Sequence, residues 1–213
     1  GMWEPRKGLS AANIEAAVND SLKRLGTDYI DIYFAHIDDE QVPLEETMTA
    51  FDKLVKAGKV RALGASNYSA ERLREALNVS KEQGLARYEV IQPLYNLHDR
   101  DDFESELANL AQEQQIGVVS YFSLASGFLT GKYRKVEDLQ GSARADFMQQ
   151  YFTGRGQRIL HELLAVSDEL SARPAQVALA WLLSRPGVTA PIASATKLEQ
   201  LEEIMGAVTL SLP

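Results

Sequence analysis

The chain has 213 residues, 45% of them apolar, enough to bury a sizeable core in one large domain. Its 30 acidic and 22 basic residues leave a formal charge of −8, which argues against nucleic acid or an anionic membrane as the main partner. Without cysteine it can hold neither a disulfide nor a thiolate metal site.

The opening residues Gly1-Met2-Trp3-Glu4-Pro5-Arg6 carry no apolar signal core, and no apolar run approaches membrane-spanning length. The expectation is a soluble, cytoplasmic protein with no membrane partner. Ser10 to Leu25 reads as a helix capped by Ser10, with Ile14, Val18, Leu22 and Leu25 on one face and Gly26 as its left-handed end. Tyr29 to Ala35, rich in aromatic and β-branched residues, reads as a strand. It ends at His36, before the acidic turn Asp38-Asp39-Glu40. A titratable ring at the carboxyl end of a strand is where α/β folds place chemistry. The plainer alternative is a loop histidine bonded to backbone.

Pro43 opens a second helix with Met48, Phe51, Leu54 and Val55 inward and Gly58 just past its end. Lys59 to Ala65 is a short strand leading into Ser66-Asn67, and Ser69 caps a helix carrying Leu73, Ala76 and Leu77 that stops near Gly84. Tyr88 to Ile91 is a strand ending in Gln92-Pro93. Asp101 or Asp102 caps a helix with Phe103, Leu107, Leu110 and Ala111 inward. Gly117 to Phe122 is the next strand, followed by the glycine-containing stretch Ser126 to Tyr133. Residues 134–154 read as a long, irregular, polar loop, of the kind that serves as a lid or binding loop or is mobile. Ile159, Leu160, Leu163, Leu164 and Leu170 mark a helix, and Pro174 starts another with Val177, Trp181 and Leu182 buried. After Pro186-Gly187, Val188 to Ala193 is a fifth strand, and a last helix runs from Thr196 to about Val208.

Strand and helix alternate five times, which predicts right-handed βαβ units and a parallel sheet. No composition shift divides the chain, so 1–213 reads as one domain. Each strand turns polar at its carboxyl end: His36, Ser66 with Asn67, Gln92, Tyr121 with Ser123, and Ser194 with Thr196. In a parallel sheet or barrel these ends share one face and converge on one cleft. Against that stands the ordinary fact that strand ends meet polar loops.

Two stretches suggest a phosphate site. Thr196-Lys197-Leu198-Glu199 has the form of a capping box, which would set a helix start with free N–H groups beside Lys197, although most such boxes only cap helices. Gly127 to Lys132 combines two glycines, which allow close backbone approach, with a cation. Neither a Walker loop nor a Gly-x-Gly-x-x-Gly fingerprint is present. His36, His98 and His161 lie on different elements without paired ligand spacing, so no metal site is expected; His98 and His161 read as surface or helix residues.

Together these stretches resemble an aldo-keto reductase. Ser21-Leu22-Lys23-Arg24-Leu25-Gly26-Thr27-Asp28-Tyr29-Ile30-Asp31 is similar to the family's approach to its active-site histidine. Gly58-Lys59-Val60-Arg61, Gly64-Ala65-Ser66-Asn67-Tyr68-Ser69 and Gln92-Pro93-Leu94-Tyr95-Asn96 resemble its next two strands. Leu129-Thr130-Gly131-Lys132-Tyr133 resembles the cofactor loop of the subgroup that includes potassium-channel β subunits. The resemblance implies a (β/α)8 TIM barrel, an α/β fold, that binds NADPH without a Rossmann domain and reduces aldehyde or ketone carbonyls of small molecules. By resemblance, His36 polarises the carbonyl, Ser66, Asn67 and Gln92 bond the carboxamide, and Tyr121 stacks on the nicotinamide. Ser123, Leu124, Ser126, Gly127 and Lys132 line the pyrophosphate, and Ser194, Thr196, Lys197, Gln200 and Glu203 hold the adenosine end. Lys197 at a helix start suits a 2′-phosphate, which favours NADP over NAD.

The chain departs from the family pattern in places. Ile37-Asp38-Asp39 follows His36 without the usual proline, Ser123 stands for proline, Phe122 for a small residue, Ser194 for glycine and Ile204 for asparagine. The family's catalytic aspartate, tyrosine and lysine belong to its first three βα units, and nothing here matches those. The chain supplies about five units, the fourth to eighth strands, where a whole barrel takes about 250 residues. The Tyr29 and Val188 strands are then expected to be open edges, completed by further residues of the molecule or by a second chain. A non-catalytic NADP-binding or interaction module, or an inactive barrel fragment, are the alternatives to a working reductase.

Overall fold

A computed structural model describes residues 7–142 and 144–212. Packing divides them into two compact units, one running up to Gln92 and including Glu106–Gly117, the other made of Pro93–Ser105 and the chain from Val118 onward.

In the first unit, Ser10 Oγ accepts from the Asn13 N–H at 3.4 Å and starts α1 (Ala11–Leu25); Gly26, at φ 65°, ends it. Ile14 and Val18 are buried, as their spacing predicts, but Leu25 is 65% exposed. Periodicity sets the face of a helix and says nothing of whether a neighbour extends to its last turn. Three strands, β1 (Ile30–Ala35), β2 (Val60–Ser66) and β3 (Tyr88–Gln92), alternate with α2 (Leu44–Lys56) and α3 (Ala70–Gln83). They pair in parallel in chain order, with Ala35 opposite Ala65 and Ser66 opposite Gln92. Leu63 to Ser66 of the central strand are all buried, as expected of a strand covered on both faces. Phe51 of α2 sits edge-on to Tyr33 and Tyr88, with ring centroids 6.3 and 6.1 Å away. Asp101 and Asp102 prove to lie inside a helix rather than to cap it, since Glu104 N–H already donates to Arg100 O. A π turn at Phe103–Leu107 precedes α4 (Ala108–Glu113) and rotates Leu107 to a half-buried position.

In the second unit β4 (Gly117–Ser120) pairs in parallel with β5 (Val188–Pro191). Both are shorter than predicted. The chain leaves β4 through Phe122 at φ 50°, and the last bond between the strands is the Ile192 N–H to Ser120 O at 2.8 Å, one residue past β5. The core gathers Ala125, Phe128, Leu129 and Tyr151 with Leu160 and Leu163 of α6 (Gly154–Glu169) and Val177 and Ala178 of α7 (Pro174–Leu183). The described residues of 134–154 are only partly irregular. They form a 3-10 turn at Val136–Leu139 and α5 (Ala145–Gln149), pinned to the core by Leu139, Met148 and Tyr151.

Trp181, predicted to be core, is half-buried. Its ring tilts against Tyr95 at 5.4 Å, with the guanidinium groups of Arg100 and Arg185 about 5 Å from its centroid. The expected capping box does not form: both the N–H and the hydroxyl of Thr196 donate to Gln200 Oε1, at 2.9 and 3.1 Å, and α8 (Leu198–Met205) starts after Lys197. Three of the four apolar residues of α8 lie open, Leu198 at 66%, Leu201 at 48% and Met205 at 59% exposed, while Ile204 is half-buried. On β1, Ile32 is 40% exposed. Among the described residues no helix is long and apolar enough to cross a membrane. The strands are parallel, each followed by helix, which is the α/β arrangement of a partial (β/α) barrel.

Candidate active site

The first unit brings three of the predicted strand ends together. Because β2 lies between β1 and β3 in parallel register, His36, Ser66-Asn67 and Gln92 emerge at one edge. The Ser66 hydroxyl, 2% exposed, donates to the Gln92 carbonyl at 2.8 Å and accepts from Asn67 Nδ2 at 3.1 Å, which leaves one lone pair. Asn67 Nδ2 also donates to the His36 carbonyl at 2.8 Å. Asn67 stands at φ 56°, a conformation asparagine tolerates better than most residues. His36 is exposed and Gln92 half-buried.

The loop after His36 is held from two sides. Asp38 accepts from Arg72 Nε at 2.7 Å and Nη2 at 3.2 Å, and Asp39 Oδ2 accepts from the Leu9 N–H at 2.9 Å. The bond to the Asp38 carboxylate pushes the Arg72 guanidinium further up, so the arginine keeps its charge. Beneath the β2 end, the hydroxyls of Tyr68 and Tyr88 meet at 3.1 Å. Burial raises Tyr68 to about 12 and Tyr88 well above the usual phenol range, so both are held neutral.

The second unit holds the rest. The Tyr121 N–H donates to Pro93 O at 2.9 Å, which makes a parallel bridge with Leu94 one residue beyond β4. Its phenol is half-buried and pushed up by that burial, with Asp99 and Asp102 adding to the shift. The turn that follows is strained: Phe122, Ala125, Ser126 and Gly127 have φ of 50, 48, 58 and 111°. Such backbone persists only where the surroundings enforce it, and it gathers at functional sites. Here Ser123 Oγ, 1% exposed, donates to Ser120 O at 3.1 Å, and Asn96 Nδ2 donates to Phe122 O at 3.0 Å.

This turn forms one wall of a cavity of about 340 Å³. Of the predicted residues, Leu124, Ser126, Gly127, Lys132, Ser194, Gln200 and Glu203 line it. Tyr121, Ser123, Thr196 and Lys197 do not; Thr196 touches it only through Gln200, and Lys197 is exposed at the start of α8. Tyr133, Ser142, Arg144 and Met148 line it without having been singled out as site residues. The available signal was the length of 134–154, which marked a lid or binding loop but no individual residue. The bond to Ser142, and after it Lys132 whose Nζ is 5.1 Å from the ring centroid, lowers the Tyr133 phenol. Lys132 and Arg144 give the cavity two cations, the Ser126-Gly127 backbone permits close approach, and half-buried Glu203 adds an acceptor. Leu124, Met148, Ala175 and Ile204 supply apolar wall. That set fits a phosphorylated ligand with a flat, weakly polar ring system.

The Aldo/keto reductase family model matches residues 2–213. A Schizosaccharomyces pombe protein, provisionally named a voltage-gated potassium channel subunit beta, is 36% identical over 207 residues, covering 94% of this chain and 60% of its own length. The L-glyceraldehyde 3-phosphate reductase of Escherichia coli K12 is 33% identical over 210 residues, covering 95% and 60%. The aldo-keto reductase YhdN of Bacillus subtilis is 35% identical over 202 residues, covering 92% and 59%. The chain thus spans about three-fifths of the length of these relatives. The match over nearly the whole chain, with relatives at 33 to 36% identity, shows that this chain belongs to the aldo-keto reductase family.

Proposed function

We propose that the chain forms the cofactor-binding part of an NADPH-dependent reductase that converts aldehyde or ketone carbonyls to alcohols. The observation that carries this reading is the cavity bounded by Leu124–Gly127, Lys132, Arg144 and α8. Lys132 and Arg144 would hold phosphate groups against the open backbone at Ser126-Gly127, and Gln200 and Glu203 would hold the adenosine end. Lys197 beside α8 favours NADP over NAD. Tyr121 would offer its ring to the nicotinamide, while Ser66, Asn67 and Gln92 would hold the carboxamide.

When bound, the cofactor supplies a hydride for the carbonyl carbon. The part of His36 is to orient and polarise the carbonyl oxygen, and Asn67 sets where that residue sits by holding its backbone carbonyl. The cytoplasm, where NADPH is at hand, is the proposed location.

The test is titration of the full-length gene product with NADPH and NADH, followed by protein fluorescence, together with aldehyde turnover read from NADPH absorbance. NADPH binding that weakens about tenfold in Lys132→Ala, with turnover, supports the proposal. Binding without turnover points instead to a non-catalytic NADP-binding module, the alternative raised by the likeness to the fission-yeast protein. Absence of NADPH binding sinks both readings.

A further inference from the structure

Two walls of the cavity come from neighbouring stretches of the second unit, and each is tied to the same carboxylate oxygen. The first wall is the strained turn through Phe122 and Ser126-Gly127. Its tie is Asn96, which is fully buried. Asn96 Nδ2 donates both to Phe122 O at 3.0 Å and to Asp99 Oδ2 at 2.9 Å, and Asn96 Oδ1 accepts from the N–H groups of His98 and Asp99 at 2.8 and 2.9 Å. The amide therefore cannot swing away from Phe122 without abandoning three other bonds.

The second wall carries Ser142, Arg144 and Met148. Its tie is Tyr151, two residues past α5 and 2% exposed. The Tyr151 ring stacks on Phe128 at 5.5 Å and 23°, and meets His98 edge-on at 5.0 Å. Its hydroxyl donates to Asp99 Oδ2 at 2.7 Å, while the other carboxylate oxygen, Oδ1, takes the His98 Nδ1–H at 3.0 Å. Burial first and Asp99 second push the phenol far above its usual range, so it stays a donor. None of Asn96, His98, Asp99 and Tyr151 lines the cavity.

We propose that Asp99 is a latch for this cavity. Through Asn96 it holds the Phe122 turn, through Tyr151 it holds the Arg144 segment, and opening the Tyr151–Asp99 bond frees the second wall to release the ligand. Tyr151, Asp99 and Asn96 are positioning residues, with no ligand contact of their own. As to the ligand, the inference rests on the NADPH reading above; the latch itself rests only on the hydrogen bonds.

The deciding variant is Tyr151→Phe, which keeps the stack on Phe128 and removes one hydroxyl. In the full-length protein, NADPH release by stopped-flow fluorescence should become about tenfold faster, the effect of one charge-assisted hydrogen bond. Amide exchange over 133–149 in the ligand-free protein should rise while the rest of the chain is unchanged. Asp99→Asn, which keeps an acceptor for Tyr151, should show the same change at smaller size, and decides the matter if Tyr151→Phe fails to fold. A residue that merely supports the core would lower thermal stability and leave both readouts at their wild-type values well below unfolding. That result overturns the latch. If the wild-type protein binds no NADPH, the functional reading falls and amide exchange alone still decides the latch.

Discussion

Arg72 and Asp38 meet fork to fork, with Nε 2.7 Å and Nη2 3.2 Å from the two carboxylate oxygens, and the pair fastens the loop after His36 to the start of α3. The Asp38 side chain is only 12% exposed, so the loop's position depends on a charge that has few other partners. Replacing Arg72 by Met should cost about 2 kcal/mol of stability, below the full penalty for a buried charge because Arg72 is itself 24% exposed. Urea unfolding measures this. The double variant with Asp38→Asn should recover more than half of the loss, since the stranded charge is then gone; no recovery would mean that the arginine acts through packing alone.

Gly64 lies opposite Phe34 in the β1–β2 register, and the Phe34 ring occupies the space a Cβ at Gly64 would need. Gly64→Ala should therefore destabilise by about 1 to 3 kcal/mol. In a Phe34→Ala background the same change should cost much less, giving a coupling energy in a double-mutant cycle. Additive effects would show that the ring moves aside freely.

Asp52 is buried on α2, where it accepts from Lys56 at 2.7 Å and from the Ala86 N–H at 3.0 Å. The bond to Lys56 lowers its carboxyl below the usual 3.8, against the opposing pull of burial. A carboxyl depressed in the folded state stabilises at pH values above its unfolded value and loses that contribution as the pH falls through the folded value. Asp52→Asn should accordingly be less stable than wild type by about 1 kcal/mol at pH ~7, with the gap closing as the pH falls below about 4. Denaturant midpoints across that range check the sign; a gap that persists at low pH would assign the effect to packing.

His36→Ala in the full-length protein should lower carbonyl turnover by about 10² to 10³, the usual size of a proton-positioning contribution, while NADPH affinity changes less than about twofold. The reason is that the chain holds His36 by its backbone carbonyl, through Asn67, so the imidazole can be removed without disturbing the strand ends. Steady-state rates with a fluorescence titration separate the two effects. Wild-type turnover in the variant would exclude the residue from the reaction.

What the sequence determined by itself was local or periodic. Ser10, Gly26, Ser69 and Gly84 start and stop α1 and α3 through bonds within four residues, so their types announce the helix ends. The strands of the first unit follow from composition, and parallel order then places His36, Ser66, Asn67 and Gln92 at one edge. The tertiary structure decided matters of partner choice. Thr196 had a capping partner in Glu199 by spacing, yet both its donors went to Gln200. Leu139, Met148 and Tyr151 anchor a stretch with too few apolar residues to show a period, and Arg144 enters the cavity because that stretch is anchored. Tyr151 and Asp99 are 52 residues apart. Neither residue's neighbours in sequence say that they meet, because a long-range hydrogen bond is set by which surfaces pack together, and packing is a property of the whole fold.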